Sequence, residues 1–234
     1  MLPVIIGSIE DNLQFVHRRI ADACAACGRN VGSVQLLAVS KTFPAASVRQ
    51  AHAAGQRTFG ENYVQEALAK ISALADLRST TQWHLIGPLQ SNKTRDVAAA
   101  FDWVHSVDRL KIAERLSAQR PADLPPLQLC LQVNISGEDS KSGLLPAEVA
   151  TVANAVTALP RVVLRGLMAI PEPEVDLQAQ RVPHRALREL MAALNASGLA
   201  LDTLSMGMSA DLEAAVLEGA TIVRLGSAIF GGRG

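Results

Sequence analysis

The sequence predicts a closed (β/α)8 barrel, the TIM-barrel class of α/β fold. Eight short apolar runs of strand length recur along the 234 residues, and segments with strong helix propensity, such as RALRELMAALNASG, separate successive runs. Strands that alternate with helices form parallel sheets, and eight such steps in roughly 200 to 250 residues fit a closed barrel better than an open doubly wound sheet. No linker-like composition divides the chain, so we expect one domain over residues 1–234.

The first predicted element is a helix over residues 8–27, which precedes the barrel at 34–234. Apolar side chains recur at helical spacing from Ile9 to Ile20, and Ser8 with Asp11 forms a capping-box pattern. The last predicted strand is followed only by a short tail, so we expect this extra helix to cover the gap between the first and last strands. The predicted strands are 34–40, 57–60, 82–86, 102–107, 127–134, 162–168, 203–206 and 221–225.

The composition excludes several classes of function. Lys and Arg number 22 against 22 Asp and Glu, and aromatic residues make up 3% of the chain, so neither a basic face nor a stacking platform for nucleic acid is predicted. The N-terminus, MLPVIIGSIED, lacks both a basic leader and a spanning apolar run, which predicts a cytoplasmic protein without a membrane partner. Cys24 and Cys27 have no second pair of ligands nearby, so no metal site is predicted.

A lysine follows the first predicted strand. Functional groups of (β/α)8 barrels gather at the carboxyl ends of the strands, and Lys41 directly follows the buried run VQLLAVS. A partly desolvated lysine has a lowered pKa and can form a Schiff base. The alternative is a lysine that ends a strand and extends into water.

Two glycine-containing turns follow strands seven and eight, where barrel enzymes frequently bind phosphate. They are Gly207-Met208-Ser209 and Gly226-Ser227-Ala228, which are also compatible with ordinary turns. Arg224 lies within the last strand, and a charged side chain directed into a barrel needs an acceptor. Either a structural partner such as Glu61 or Asp211 or the ring nitrogen of a cofactor would satisfy it.

Other polar groups follow strands three and five. These groups also fit ordinary loop and capping chemistry, and the remaining histidines receive no role. At the end of strand three and beyond it the residues of these groups are His84, Gln90, Asn92 and Lys93, and at the end of strand five and beyond it they are Asn134, Glu138, Lys141 and Gly143. We expect both groups to lie on the same rim of the barrel as Lys41.

Seven motifs together resemble the pyridoxal phosphate homeostasis proteins. The motifs are AVSKT at 38–42, FGENYVQE at 59–66, WHLIGPLQSNK at 83–93, ExxKxG at 138–143, GLM at 166–168, SMGMSADLEAA at 205–215 and VRLGSAIFG at 223–231. Their order and spacing match from about residue 34 to the C-terminus. One departure is Phe43, where the family often has a second lysine.

The resemblance implies a fold-type III pyridoxal phosphate (PLP) barrel, similar to the N-terminal domain of alanine racemase. By that similarity Lys41 would form the Schiff base, Arg224 would face the pyridine nitrogen, and the two turns would hold the phosphate. The implied cofactor-binding residues are Lys41, Asn62, Met208, Ser209, Arg224, Gly226 and Ser227.

The resemblance also implies a monomeric carrier or buffer of PLP that passes the cofactor to PLP-requiring apo-enzymes. The alternatives are a PLP-dependent amino-acid racemase and a cofactor-free Schiff-base aldolase. An aldolase needs no partner for a ring nitrogen, so Arg224 disfavours it. Racemisation needs a second acid or base opposite Lys41. Alanine racemase takes a tyrosine from another domain, whereas the sole tyrosine here, Tyr63, opens a helix. We therefore expect no efficient catalysis.

Overall fold

Eight parallel strands form a closed barrel in the order of the chain. The computed structural model describes residues 7–137 and 142–232. Each strand pairs with the next, and the last pairs with the first, through the registers Leu36↔Val223 and Leu37↔Arg224 among others. The strands are β1 Gln35–Val39, β2 Thr58–Glu61, β3 Gln82–Leu85, β4 Trp103–Val107, β5 Leu127–Gln132, β6 Val162–Met168, β7 Thr203–Ser205 and β8 Ile222–Leu225. The predicted (β/α)8 fold is confirmed.

Helices connect the strands and surround the barrel. The helices are α1 Ile9–Ala26, α2 Ala45–Ala53, α3 Val64–Ala73, α4 Thr94–Ala100, α5 Leu110–Gln119, α6 Pro146–Thr157, α7 Leu177–Ala196, α8 Leu212–Leu217 and α9 Ser227–Phe230. Short 3-10 helices occur at Val31–Ser33, Ala75–Thr80 and Ser91–Lys93. No helix within 7–137 or 142–232 combines the length and hydrophobicity that a membrane span requires.

The extra N-terminal helix is present and lies where it was expected. Ser8 caps α1 by accepting a hydrogen bond from Asp11 N at 3.1 Å, and Ser8 N donates to the Asp11 carboxylate at 3.2 Å. The buried face of α1 includes Leu13, Val16 and Ile20, and the helix packs against α2, α8 and α9. It therefore lies against the helix that follows β1 and the two helices on either side of β8 in the chain, as expected of a helix that fills the gap between the first and last strands.

The core has two layers because alternate residues of each strand face opposite sides of the sheet. One layer lies between the barrel and the helices, with Leu36 and Ala38 of β1 as examples. The other fills the barrel interior and consists of Leu37, Val39, Ile86, Trp103, Cys130, Met168 and Ile222. Polar side chains occupy the rest of the interior and reach the carboxyl ends of the strands, where the candidate site lies.

Candidate functional site

A cavity of about 330 Å³ opens at the carboxyl ends of the strands. Its lining residues come mainly from the segments that follow β1, β2, β7 and β8. They are Val39, Lys41, Phe43, Asn62, Ile86, Ile170, Met208, Ser209, Ala210, Arg224, Gly226, Ser227 and Gly231. All seven residues predicted to bind a cofactor thus lie around one cavity.

Arg224 is the buried cation of this cavity, with 4% of its surface exposed. Its guanidinium donates to the backbone oxygen and Oγ of Ser205 and, at 2.9 Å, to Ala169 O. Burial lowers the pKa of Arg224 to about 10, so the group stays charged at neutral pH. Glu61, one of the anticipated partners, pairs with Lys70 instead. Asp211 acts on Arg224 through its charge without a direct hydrogen bond.

A chain of hydrogen bonds continues from Arg224 into the barrel. Ser205 Oγ lies 2.7 Å from His105 Nδ1, and His105 Nε2 lies 2.9 Å from His84 Nδ1. Burial lowers the pKa of His84 to about 3 and holds the pKa of His105 well below its usual range, an effect to which the charge of Arg224 adds. Both rings are therefore neutral at pH 7. Because Ser205 Oγ accepts from Arg224, its own proton is free to bond His105 Nδ1.

The structure corrects the prediction that His84 belongs to the polar groups on the rim of the barrel. His84 is fully buried inside the barrel and stacks on Trp103 with ring centroids 5.3 Å apart. The reason is strand alternation: Trp83 and Leu85 face the helices, so His84 faces the interior. His105, to which no role was given, belongs to the same buried chain.

The turn after β7 is held by side chains from three helices or their caps. Met208 N donates to Asp211 Oδ1 at 2.7 Å, and Asp211 Oδ2 lies 2.8 Å from His184 Nε2 on α7. Arg19 of α1 donates to Ser209 O at 3.1 Å. The Met208 N–H is thus already committed to Asp211, and Met208 reaches the cavity through its other atoms.

Both glycine-containing turns have backbone N–H groups that are available to a ligand. Among the residues that the structure describes, the N–H groups of Ser209, Gly226 and Ser227 donate to no protein acceptor. Gly226 packs so closely on β1 that a Cβ there would lie 2.9 Å from Val39 O. Only glycine therefore allows this turn to keep its position.

Asn62 adds an unused acceptor beside the cavity. Its Oδ1 is buried, and no hydrogen-bond partner for it exists within 7–137 or 142–232. A Cβ on Gly87 would lie 2.2 Å from Asn62 O, so glycine at position 87 allows Asn62 to occupy its place.

Several predicted polar groups lie elsewhere. Gln90 and Lys93 line a separate cavity with Tyr63, and Asn134 lines a cavity that adjoins the main one. Glu138 and Lys141 lie outside the described residues.

The apolar walls of the cavity were not predicted from the sequence. Phe43 contacts Phe230 with ring centroids 5.2 Å apart, and Ile86 and Ile170 follow β3 and β6. The only signal in the sequence that could have identified these apolar residues is their position after a strand. Polar residues beside them have the same position, so this signal does not separate the two.

Comparisons with known proteins show the family of this chain. Residues 11–234 match the family described as the alanine racemase N-terminal domain. A pyridoxal phosphate homeostasis protein from Pseudomonas aeruginosa is 61% identical over 228 residues, which are 97% of each chain. The chain belongs to the pyridoxal phosphate homeostasis protein family. A protein of that name from Escherichia coli K12 is 52% identical over 229 residues, 97% of this chain and 98% of the relative.

A solved structure of this family shares the fold. PipY of Synechococcus elongatus, in a structure with PLP bound, is 42% identical with a TM-score of 0.79. The match covers 91% of this chain and 100% of PipY. The family resemblance and the barrel predicted from the sequence are both confirmed.

Proposed function

We propose that this chain binds PLP covalently through Lys41 and carries or buffers the cofactor without efficient turnover. The proposal rests on one observation: an amine at a strand end, a buried arginine and two glycine-containing turns face a single cavity. The name of the 61%-identical relative and the PLP-bound structure of PipY support the choice of cofactor.

The phosphate would bind at the two turns. Ser209, Gly226 and Ser227 provide uncommitted backbone N–H groups, and both serines add a hydroxyl. Donors to an anion make the stronger class of hydrogen bond. Asp211 holds the first turn and takes up the Met208 N–H, so that turn would contribute mainly through Ser209.

The ring would lie between Asn62 and Arg224. Asn62 Oδ1 is a buried acceptor that a ring hydroxyl could satisfy. Arg224 has only donors, so a ring nitrogen facing it would accept a hydrogen bond and stay unprotonated. PLP supplies an electrophilic aldehyde and, with its ring nitrogen protonated, an electron sink. Arg224 thus favours binding and weakens further chemistry.

The cavity favours a carrier over a racemase. Lys41 and Arg224 are the only ionisable side chains among its described lining residues, and Arg224 stays charged at neutral pH. Tyr63 lines a different cavity and is 56% exposed. The described lining residues therefore supply no second acid or base for the two-sided proton transfer that racemisation requires.

In the cell, we propose a monomeric, cytoplasmic, single-domain carrier that passes PLP to apo-enzymes. The balanced charge and the absence of a spanning helix in the described part of the chain are compatible with this assignment.

Borohydride reduction tests the covalent site. Protein loaded with PLP should lose its imine absorption on reduction, and peptide mass mapping should place the pyridoxyl group on Lys41. Lys41→Ala should abolish the adduct, whereas the control Lys111→Ala, on the exposed face of α5, should retain it. An adduct mainly on Lys93 or Lys141 would contradict the assignment.

Proton exchange in heavy water tests the absence of turnover. Holo-protein at high concentration should not invert alanine or serine at ordinary enzymatic rates, because the described lining of the cavity supplies no acid or base besides Lys41 and the permanently charged Arg224. Inversion above about 1 per second would favour the racemase.

A further inference from the structure

A buried ion cluster lies behind the turn that carries Lys41. Lys70 of α3 donates to Glu61 Oε1 at 2.7 Å and to Glu66 Oε1 at 2.6 Å. The side chains of Lys70 and Glu61 are 6% and 0% exposed. Burying charges is costly even when they are paired, and an apolar core of similar volume is often at least as stable. The presence of this buried charged cluster is therefore better explained if it fixes the position of another part of the chain.

The cluster binds the backbone on both sides of Lys41. Lys70 Nζ donates to Ser40 O at 2.6 Å, and Ser40 Oγ donates to Glu61 Oε1 at 2.6 Å. On the other side, Thr42 N donates to Glu66 Oε1 at 2.6 Å. The residues before and after Lys41 are thus tied to the same three charged side chains.

The backbone of this turn is strained. Thr42 has φ of +68°, in the left-handed region that β-branched residues rarely adopt. Such a conformation persists only where the surroundings hold it, and it is found preferentially at functional sites. The hydrogen bond from Thr42 N to Glu66 helps to hold it here, beside the bond within the turn from Phe43 N to Ser40 O at 3.1 Å.

We propose that Glu66 and Lys70 are positioning residues that clamp the turn Ser40–Thr42 and so hold the Lys41 amine at the cavity. This inference rests on the proposed function, because holding the Lys41 amine in place matters only if Lys41 binds the cofactor. Glu61 supports the clamp by anchoring Lys70 and the Ser40 hydroxyl. The sequence alone gave no sign of this role, since Lys70 and Glu66 read as an ordinary i,i+4 pair on a helix.

The clamp can be tested in the protein without cofactor. Glu66→Met removes the acceptor for Thr42 N while filling similar space, and Glu66→Gln keeps an oxygen there. Hydrogen exchange of a peptide spanning 41–44 should be about tenfold faster in Glu66→Met and near wild type in Glu66→Gln. Glu148→Met is the matched control, because it also removes a carboxylate that accepts from a backbone N–H, that of Leu145 at 2.8 Å.

Cofactor binding gives the second measurement. Glu66→Met should weaken PLP binding about tenfold, while Glu66→Gln and Glu148→Met should not. Adding Thr42→Gly to Glu66→Met should recover part of the loss, since glycine adopts a positive φ without steric cost. Circular dichroism melting verifies that each variant is folded.

Two results would overturn the clamp: wild-type exchange and binding in Glu66→Met, or a double variant that binds no better than Glu66→Met. If the wild-type protein itself fails to take PLP at Lys41, the proposed function fails. The exchange measurement still decides whether the turn is clamped.

Discussion

At the scale of single residues, the barrel keeps a charged arginine in its interior by surrounding it with oxygen atoms. Arg224 donates to Ser205 and Ala169, and its charge is partly compensated by Asp211 at longer range. His105 stays neutral beside Arg224, because burial and the positive charge of the arginine both lower the pKa of this histidine. Arg224 thus presents a fixed positive charge to the cavity, and neither Arg224 nor His105 changes its charge near neutral pH.

Gly226 gives a residue-scale prediction about the phosphate. Gly226→Ala would place a Cβ 2.9 Å from Val39 O, so the turn must shift and carry its N–H groups with it. We expect this variant to lose about tenfold in affinity for PLP and little for pyridoxal, which lacks the phosphate. Absorbance titration of both ligands measures the ratio.

Gly232→Ala is the control for this substitution, since a Cβ there meets nothing within 4 Å. Equal losses for PLP and pyridoxal in Gly226→Ala would place the phosphate elsewhere.

At the scale of elements, the clearest strands could be predicted because they are short, largely apolar runs that are buried on both faces, such as QLLAV of β1. The boundaries differ by one or two residues where the chain leaves the sheet, as at β5, which ends at Gln132 rather than at Asn134. Those departing residues form the site. Lys41 and Asn62 could therefore be found from their place after a strand.

The remaining parts of the site depend on contacts between distant elements. Met208 could be predicted to line the site, but the capture of its N–H by Asp211 depends on how the turn folds. Ile170 lines the cavity only because β6 closes next to β7. Arg19 of α1 binds both Ser209 O and Glu213, so the helix that covers the barrel also holds the turn of the candidate phosphate site. Such pairings across some 190 residues leave no local pattern in the sequence.

At the scale of the whole molecule, the barrel interior combines an apolar layer with a polar chain that ends at His84. The His84 Nε2 atom has no partner among the residues that the structure describes. Protonating either ring of the pair would bury a further charge near Arg224, which is unfavourable. The interior therefore links the stability of the fold to pH.

The free energy of unfolding should fall as the pH drops below about 6.5. The pKa of His84 is lowered to about 3 in the folded protein. Between these two values the unfolded chain binds a proton at His84 that the folded protein does not, so acid favours the unfolded state. This contribution reaches about 1.4 kcal/mol per pH unit for each such histidine. It is fully restored above the pKa of the unfolded chain.

Denaturant unfolding between about pH 7 and pH 5, above the range in which unfolded carboxylates titrate, measures this slope. His84→Gln keeps an acceptor for His105 but cannot titrate, so its slope should be shallower than that of the wild type by about half a proton at pH 6.5 and by close to one proton near pH 5. His52→Gln is the control, because His52 lies on α2 beside Thr80 and is not enclosed by the barrel. It should retain most of the slope.

A His84→Gln protein with the wild-type slope would mean that His84 is protonated inside the folded barrel. The assignment of neutral rings to the hydrogen-bonded chain from Arg224 to His84 would then be wrong.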